Sequence, residues 1–224
     1  MILEKNGSFT QDARLYTALA AEDMKRLEGF LRIRHVFNSA MREVSAKLET
    51  LDDEFEIIYD HNPIHHIESR IKSPMSIADK LRRKGLEIDT DTAVKNLTDI
   101  AGIRVICYYQ DDIYKIADML TRQDDVELVE TLDYIASPKE NGDRSLHLVV
   151  KVPVFLSEGS QRVAVEVQMR TVSMDLWACV EHQLSYKRPA AVRAKFAQNM
   201  LEFANDAHDL DLKIQELWRR ANQE

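Results

Sequence analysis

A short, strongly basic run at residues 70–84, RIKSPMSIADKLRRK, constrains this chain more than any other feature. It carries six Lys and Arg side chains against one Asp, a local charge of +5 in a chain of net charge −8. Because a dense cationic patch repels itself, it requires an anionic partner. Ser73 is placed to cap a helix whose first residue is Pro74. The run therefore predicts a capped, basic helix.

This helix would carry its charges on one face and its apolar residues on another. Ser76, Lys80 and Arg83 are spaced i, i+4 and i+7 and share a face. Ile77 and Leu81 lie on a different face and can anchor the helix to a core. A helix start with unbonded backbone N–H groups, followed by cations, suits phosphate binding. For the basic run alone, a solvated amphipathic helix is an equally good interpretation.

Composition limits the classes of protein to consider. The 224 residues suit one large domain or one domain with helical extensions, and a hydrophobic content of 45% is enough for a real core. The acidic balance argues against a general duplex-DNA binder and leaves a local RNA contact open. The N-terminus lacks an apolar leader and no stretch has membrane-spanning length, so we expect a cytoplasmic protein without membrane contact. Cys107 and Cys179 lack metal-binding or disulfide spacing, and we expect both to be buried thiols.

Hydrophobic spacing predicts helical ends around a mixed middle. We place N-terminal helices at 1–60, a core at 61–188 and a C-terminal helix at 189–224. Apolar residues in steps of three and four support the first helical region, at Phe30, Ile33, Phe37, Ala40, Val44, Leu48, Leu51, Phe55 and Ile58. The C-terminal helix shows a heptad repeat of apolar residues, the heptad seam, at Phe196, Met200, Phe203, Ala207, Leu210, Ile214 and Leu217. The seam packs either on its own subunit, our preferred interpretation, or on another subunit.

The middle of the chain reads as an α+β unit. We expect a helix at 111–122 and four strands, at 102–109, near 126–135, at 145–155 and at 162–170. EGSQ at 158–161 is short enough to join the last two strands as a hairpin. The predicted fold class is α+β, with a mixed sheet of about five strands flanked by helices and long helical N- and C-terminal regions.

The predicted strand at 162–170 alternates between two kinds of side chain. Val163, Val165, Val167 and Met169 would face one side, and the other side would carry Ala164, Glu166, Gln168 and Arg170. Such a strand has one buried face. Its polar face is either part of a site or an ordinary solvated face of an antiparallel sheet.

Four segments together carry the chemistry of a candidate site. They are the basic run, TDIAGIRV (98–105), PKENGDRSLH (138–147) and VEVQMRTVSMDLWACVEH (165–182). Singly, Asp99 is typical of a turn, Glu166 of a solvated strand, and His147 and His182 of ordinary polar positions. Together they offer two carboxylates, a phosphate cradle and further cations, which fits Mg²⁺-assisted transfer of a phosphate-containing group.

These segments resemble the synthetase domain of the RelA/SpoT family over roughly residues 60–188. The short length resembles a small alarmone synthetase, and HNPI (61–64) resembles the RelP-type branch more than the RelQ type. The resemblance implies a single, nucleotidyltransferase-like synthetase domain over 1–224 and a homotetramer. It also implies an ATP-dependent GTP/GDP 3′-pyrophosphokinase, which moves the β,γ-pyrophosphate of ATP to the 3′-hydroxyl of GTP or GDP. The products would be AMP and (p)ppGpp, the alarmone of the stringent response.

The resemblance also implies a role for each matching residue. Asp99 resembles the Mg²⁺ ligand, and Glu166 resembles a partner carboxylate that helps hold the metal and accepts the proton of the 3′-hydroxyl. Arg70 and Arg104 resemble the pair that sandwiches adenine. The ATP triphosphate would be gripped by Lys72, Ser76, Lys80 and Arg83. The acceptor nucleotide would be bound by Lys139, Asp143, Arg144, His147, Gln168 and His182.

One position departs from the family pattern. The family carries NGYRSLH, with a Tyr that stacks on guanine, and this chain has Asp143 there. Losing a base–aromatic stack costs about 1–3 kcal/mol, and a new carboxylate would repel a polyphosphate. Three interpretations follow. The one we prefer is that the chain is an impaired or deliberately substituted variant. The others are a natural member with weaker guanine binding and an enzyme that uses another acceptor. We hypothesise reduced synthetase activity with ATP binding largely intact.

Two other functions stay open at this point. Certain relatives transfer pyrophosphate to the 3′ end of tRNA, although no extra basic patch here demands it. A nucleotide- or RNA-binding regulator without turnover is the alternative outside enzymes. Asp143 favours such a regulator, whereas the intact carboxylates Asp99 and Glu166 argue against it, because a pure binder needs no metal-binding pair.

Overall fold

The computed structural model describes residues 21–185 and 188–222, which form seven helices and five strands. In chain order these are α1 (Ala21–Ile58), β1 (Ile64–Ile71), α2 (Pro74–Arg83), α3 (Thr90–Asn96), β2 (Ala101–Cys107), α4 (Gln110–Thr121), β3 (Glu127–Asp133), β4 (Leu146–Leu156), β5 (Gly159–Thr171), α5 (Val172–Ser185), α6 (Ala190–Ala194) and α7 (Ala197–Ala221). The strands form one sheet in the order β1-β2-β5-β4-β3. Of the four pairs of neighbouring strands in the described residues, β2 and β5 run parallel and the other three run antiparallel. The sheet is therefore mixed, and the predicted α+β class is confirmed.

Two local features of the sheet differ from the sequence prediction. The fifth strand is β1, Ile64–Ile71, whose run IHHIESRI carries too many polar residues to show a hydrophobic alternation. The hairpin between β4 and β5 turns at residues 157 and 158, because Leu156 pairs with Gly159. The predicted hairpin is confirmed, but three of the four residues assigned to its turn, 159–161, belong to β5.

The described chain divides into two compact units. The first comprises the described residues up to Val36 together with Lys72–Leu97. The second comprises Phe37–Ile71 and the described residues from Thr98 onward. The helix α1 begins in the first unit and ends in the second. Within the described residues, no helix combines the length and the apolar character needed to cross a membrane.

The basic helix α2 of the first unit begins and ends as the sequence predicts. Ser73 caps it with Pro74 at the first turn, and the Ser73 hydroxyl accepts a hydrogen bond from the Ser76 backbone N–H at 3.2 Å. That N–H is thus already bonded, unlike the unbonded helix start that we expected. Ile77 and Leu81 are buried, as predicted.

The second unit is built on the apolar face of the sheet. The alternation predicted for β5 is confirmed, since Val163, Val165, Val167 and Met169 are buried. The helix α4 contacts β2, β4 and β5. Apolar side chains of α1 in this unit are also buried, namely Phe37, Ala40, Val44, Leu48 and Phe55. With this face covered, the polar side chains of the same strands are left on the other face of the sheet.

The helix α7 is buried along a stripe that shares only Met200 with the predicted heptad seam. Met200, Ala204, Asp211 and Gln215 are buried. Asp211 accepts a 2.6 Å hydrogen bond from the Thr171 hydroxyl, so this stripe is partly polar. Seam residues Phe196, Phe203, Leu210, Ile214 and Leu217 are 40–68% exposed. The preferred prediction, that the seam packs on its own subunit, is therefore wrong for these five residues and confirmed for Met200.

The two cysteines differ in environment. Cys107 is buried in β2 as predicted, and burial raises the pKa of its thiol. Cys179 is exposed on α5, so the prediction of two buried thiols is wrong for this residue. Its neighbours in sequence are apolar, but α5 turns this position toward solvent.

Candidate active site

The register of the sheet brings polar side chains from three strands onto one face. Gly102 of β2 pairs with Arg70 of β1 on one side and with Glu166 of β5 on the other. Two residues further along β2, Arg104 pairs with Gln168. Because side chains alternate along a strand, these residues point to the same face. Gly102 has no side chain, which leaves an open space between its neighbours.

That space is a pocket in the second unit. Its lining includes five of the predicted site residues, which are Arg70, Asp99, Arg104, Glu166 and Gln168. Asp99 enters from the link that precedes β2. Two acids and two arginines predicted for metal and adenine therefore meet in one place.

Glu166 is held in its ionised form by its neighbours. Burial pushes the pKa of its carboxyl up, and so does the charge of Asp99. Contacts with His147, at 3.5 Å from its Nδ1 to Oε1 of Glu166, and with Gln168, whose amide donates at 2.9 Å, act in the opposite sense. The net result is a pKa below the ordinary value of a glutamate. Glu166 can thus act as a ligand or as a proton acceptor at neutral pH.

Asp143, the departure from the family pattern, is buried between two cations. Its carboxylate lies 2.5 Å from Nζ of Lys139 and 3.1 Å from NH2 of Arg170. The Lys139 ammonium also lies over the ring of Tyr134, 4.4 Å from the centroid, and Tyr134 meets His147 edge-on at 5.3 Å between centroids. The carboxylate is therefore compensated within the protein, which the sequence did not reveal.

Arg104 is held by acids on both sides. Its NH1 lies 3.4 Å from Oε2 of Glu68 and 3.4 Å from Oδ1 of Asp175. Asp175 belongs to the first turn of α5 and also lies 3.7 Å from NH1 of Arg170. Sequence reasoning missed Asp175 entirely and noted Arg170 only as part of a polar strand face. Spacing could not have found the Asp175 contacts, because they depend on how α5 follows β5.

Other predicted site residues lie outside this pocket. Arg144 faces α7, where its NH2 donates to the Asn205 side chain at 3.4 Å, and burial lowers the pKa of its guanidinium. His182 is exposed near the end of α5. The four residues predicted to grip the triphosphate belong to the first unit, namely Lys72, Ser76, Lys80 and Arg83. Their roles stay predictions.

The donor set of the pocket fits a small, hard cation. Asp99 and Glu166 offer carboxylate oxygens close enough for their charges to interact, and Mg²⁺ in nucleotide sites is commonly held by one or two carboxylates plus substrate phosphates. Among residues 21–185 and 188–222, no group of three or more His, Cys, Asp or Glu side chains is arranged as a complete metal site. A metal here would need ligands from a substrate.

Comparison with known proteins places this site in a family. The model of the region found in RelA / SpoT proteins matches residues 69–191. GTP pyrophosphokinase YwaC of Bacillus subtilis (strain 168) is 41% identical over 179 residues, covering 80% of this chain and 85% of that protein.

Solved structures agree with the sequence comparison. Small alarmone synthetase 1 of Bacillus subtilis, bound to its product pppGpp, superposes with a TM-score of 0.78 at 35% identity, covering 87% of this chain and 98% of that one. The same synthetase bound to AMPCPP gives 0.75 at 29% identity, covering 88% and 100%. With more than half its length matched by the family model and the pocket acids inside the match, this chain belongs to the RelA/SpoT family.

Proposed function

We propose that this protein is a GTP pyrophosphokinase that makes (p)ppGpp. It transfers the β,γ-pyrophosphate of ATP to the 3′-hydroxyl of GTP or GDP and releases AMP. The observation that carries the proposal is the convergence of Asp99, Glu166, Arg70 and Arg104 on one pocket. The family relatives named above support the same reaction.

Glu166 is the group we assign to the acceptor hydroxyl. In the reaction the 3′-oxygen forms a bond to the β-phosphorus of ATP, the bond from that phosphorus to the α–β bridging oxygen breaks, and AMP leaves. The 3′-hydroxyl loses a proton, which the ionised Glu166 carboxylate accepts. Its depressed pKa means that it is ready to accept at neutral pH but is a weak base. Its contribution is therefore as much to orient the hydroxyl as to remove the proton.

Mg²⁺ is the metal we assign to the pocket, held by Asp99 and Glu166. When bound, it neutralises charge on the phosphates of the donor nucleotide. Arg70 and Arg104 bind the adenine ring of ATP. Their planar guanidinium groups stack on π faces better than a Lys ammonium does. Binding of the triphosphate falls to Lys72, Ser76, Lys80 and Arg83.

The acceptor nucleotide is bound on the His147 side of the pocket. His147 and Gln168 contact Glu166, and Lys139 lies over the ring of Tyr134, which meets His147 edge-on. Asp143, Arg144 and His182 complete the predicted set. Asp143 offers no ring for guanine. We therefore propose weaker acceptor binding than in a chain with Tyr at this position. Asp143→Tyr should lower KM for GTP by roughly tenfold to a hundredfold, the equivalent of a base–aromatic stack; an unchanged or higher KM for GTP would contradict this.

A transfer assay tests the reaction itself. The protein is incubated with Mg²⁺, ATP labelled at the γ-phosphate, and GTP, GDP or tRNA in separate reactions. We expect label in pppGpp or ppGpp, with AMP formed in equal amount. Label on tRNA alone would assign the activity to the tRNA 3′ end. ATP binding without transfer to any acceptor would assign the protein to the non-enzymatic regulators that Asp143 favours.

The exposed seam of α7 supports assembly into a homotetramer. Phe203 and Leu210 on α7 and Leu176 and Val180 on α5 are exposed and line one apolar groove. Contiguous apolar surface of this kind marks protein–protein contacts. We expect a tetramer by light scattering at neutral pH, and Leu210→Asp should shift it to smaller species. We place the protein in the cytoplasm, where its nucleotide substrates are found.

A further inference from the structure

A row of alternating charges crosses the polar face of the sheet. It starts in the loop between β3 and β4, residues 134–145, which carries three of the predicted acceptor-binding residues and is called the acceptor loop below. Nζ of Lys139 in this loop lies 2.5 Å from Oδ2 of Asp143. The other carboxylate oxygen of Asp143 accepts a 3.1 Å hydrogen bond from NH2 of Arg170. The two oxygens of Asp143 thus serve two different cations. The acceptor loop is tied to strand β5 by this one carboxylate.

Arg170 extends the row toward Arg104, on the side of the pocket proposed to bind ATP. Its other terminal nitrogen, NH1, lies 3.7 Å from Oδ1 of Asp175, and the same oxygen lies 3.4 Å from NH1 of Arg104. A guanidinium has several donors in a rigid plane and can bridge two carboxylates, whereas a lysine ammonium is a point charge. The row therefore runs Lys139, Asp143, Arg170, Asp175, Arg104.

Burial gives this row its strength. The side chains of Asp143 and Arg170 are both 9% exposed, and that of Asp175 is 18% exposed. Salt and water screen such pairs much less than surface pairs. Glu68, the other acid on Arg104, is 59% exposed and accepts a 3.4 Å hydrogen bond from NH1 of Arg104, so solvent screens this pair more. Asp175 Oδ1 makes no hydrogen bond within the described residues, so it acts on Arg104 and Arg170 through its charge alone, from a more buried position than Glu68.

We infer that Asp143 and Asp175 are positioning residues for Arg104, Asp175 acting on it directly and Asp143 through Arg170 and Asp175, and that this row couples the ATP site to the acceptor loop. The inference rests on the proposed function, since it takes Arg104 as the arginine that stacks on adenine. Asp143 then has two opposite effects in this chain. It removes an aromatic ring from the acceptor site and supplies the link that orders the donor site.

The test measures ATP-site affinity without any acceptor. AMPCPP, the ATP analogue whose α–β bridge is carbon, is titrated with Mg²⁺ into the wild-type chain and into Asp143→Asn, Asp175→Asn and the double variant. We expect each single substitution to raise Kd about three- to tenfold. The double variant should be no weaker than Asp175→Asn alone, because either change cuts the same row.

Two further variants separate positioning from simple loss of structure. Asp118→Asn removes an exposed ion pair with Arg122 and should leave Kd unchanged. Arg170→Lys keeps the charge but cannot bridge both acids, so it should weaken AMPCPP binding as the Asn variants do. Thermal unfolding shows whether each variant is folded at the titration temperature. If a variant at Asp143 or Arg170 is unfolded there, the Kd of Asp175→Asn decides the test.

The outcomes distinguish this inference from the proposed function. An unchanged Kd in folded Asp175→Asn, or single effects that multiply in the double variant, would overturn the coupling and leave the proposed function standing. A wild-type chain that does not bind AMPCPP would overturn the proposed function and this inference with it.

Discussion

Removing the carboxylate of Asp143 tests the buried ion pair at the centre of the polar face. Its contact with Arg170 joins two side chains that are each 9% exposed. Breaking such a pair costs about 3–5 kcal/mol, because the remaining charge stays buried without compensation. Asp175 keeps a 3.7 Å contact with Arg170, so we expect Asp143→Ala to lower the free energy of unfolding by about 3 kcal/mol, the low end of that range.

Thermal and urea unfolding measure this loss directly. For a chain of this size, a loss of that magnitude corresponds to a fall in Tm of roughly 6–12 °C. Asp118→Ala is the matched control, because Asp118 pairs with Arg122 at 2.9 Å while both side chains are at least half exposed. We expect the control to change stability by less than about 1 kcal/mol. Equal losses in the two variants would refute the argument from burial.

Three further predictions concern single residues. Cys179 is exposed and Cys107 is buried, so a thiol reagent should modify the native chain at Cys179, and mass mapping that finds Cys107 modified first would contradict the structure. Gly142 has a positive φ of 91° and a Cβ there would lie 2.6 Å from a neighbouring side chain, whereas Gly85, also at positive φ, faces open space; Gly142→Ala should therefore cost more stability than Gly85→Ala, as chemical unfolding can rank. Burial lowers the pKa of His208 below its ordinary 6.5, so the unfolded chain takes up the proton first and stability should fall as pH drops below 6.5; His208→Gln should reduce that fall in Tm, and an identical pH profile would exclude the effect.

Local rules were enough to predict much of the fold. Ser73 before Pro74 predicts a helix start because both residues favour that geometry wherever they occur, and the structure has it. The alternation along β5 likewise depends only on the two-residue period of a strand. Because residues two apart on one strand share a face, Glu166 and Gln168 could be assigned to a common face before the structure was known.

The rest depended on contacts between distant segments. The strand β1 is polar because its outer face carries Glu68 and Arg70, so a hydrophobic pattern could not reveal it. On α7, Asp211 and Gln215 are buried because Thr171 and the backbone of α4 satisfy them by hydrogen bonds. The sequence prediction took the apolar seam for the buried face, but apart from Met200 the buried residues form a partly polar stripe beside it.

The same limit applies to the candidate site. Asp143 could be compared with the family pattern, and a missing ring was the natural conclusion. Its two partners, Lys139 and Arg170, are four and twenty-seven residues away, and only the folded chain shows that both reach the same carboxylate. A residue that departs from a motif can thus gain a structural role that the motif does not contain.

Glu166→Gln provides the most direct test of the proposed reaction. The amide keeps the size of the side chain but removes the charge that holds Mg²⁺ and accepts the proton. We expect pyrophosphate transfer from ATP to GTP to fall by about 10²–10⁴-fold, while AMPCPP still binds to the folded variant. Transfer at the wild-type rate would contradict the role of Glu166 and, with it, the assignment of this pocket as the active site.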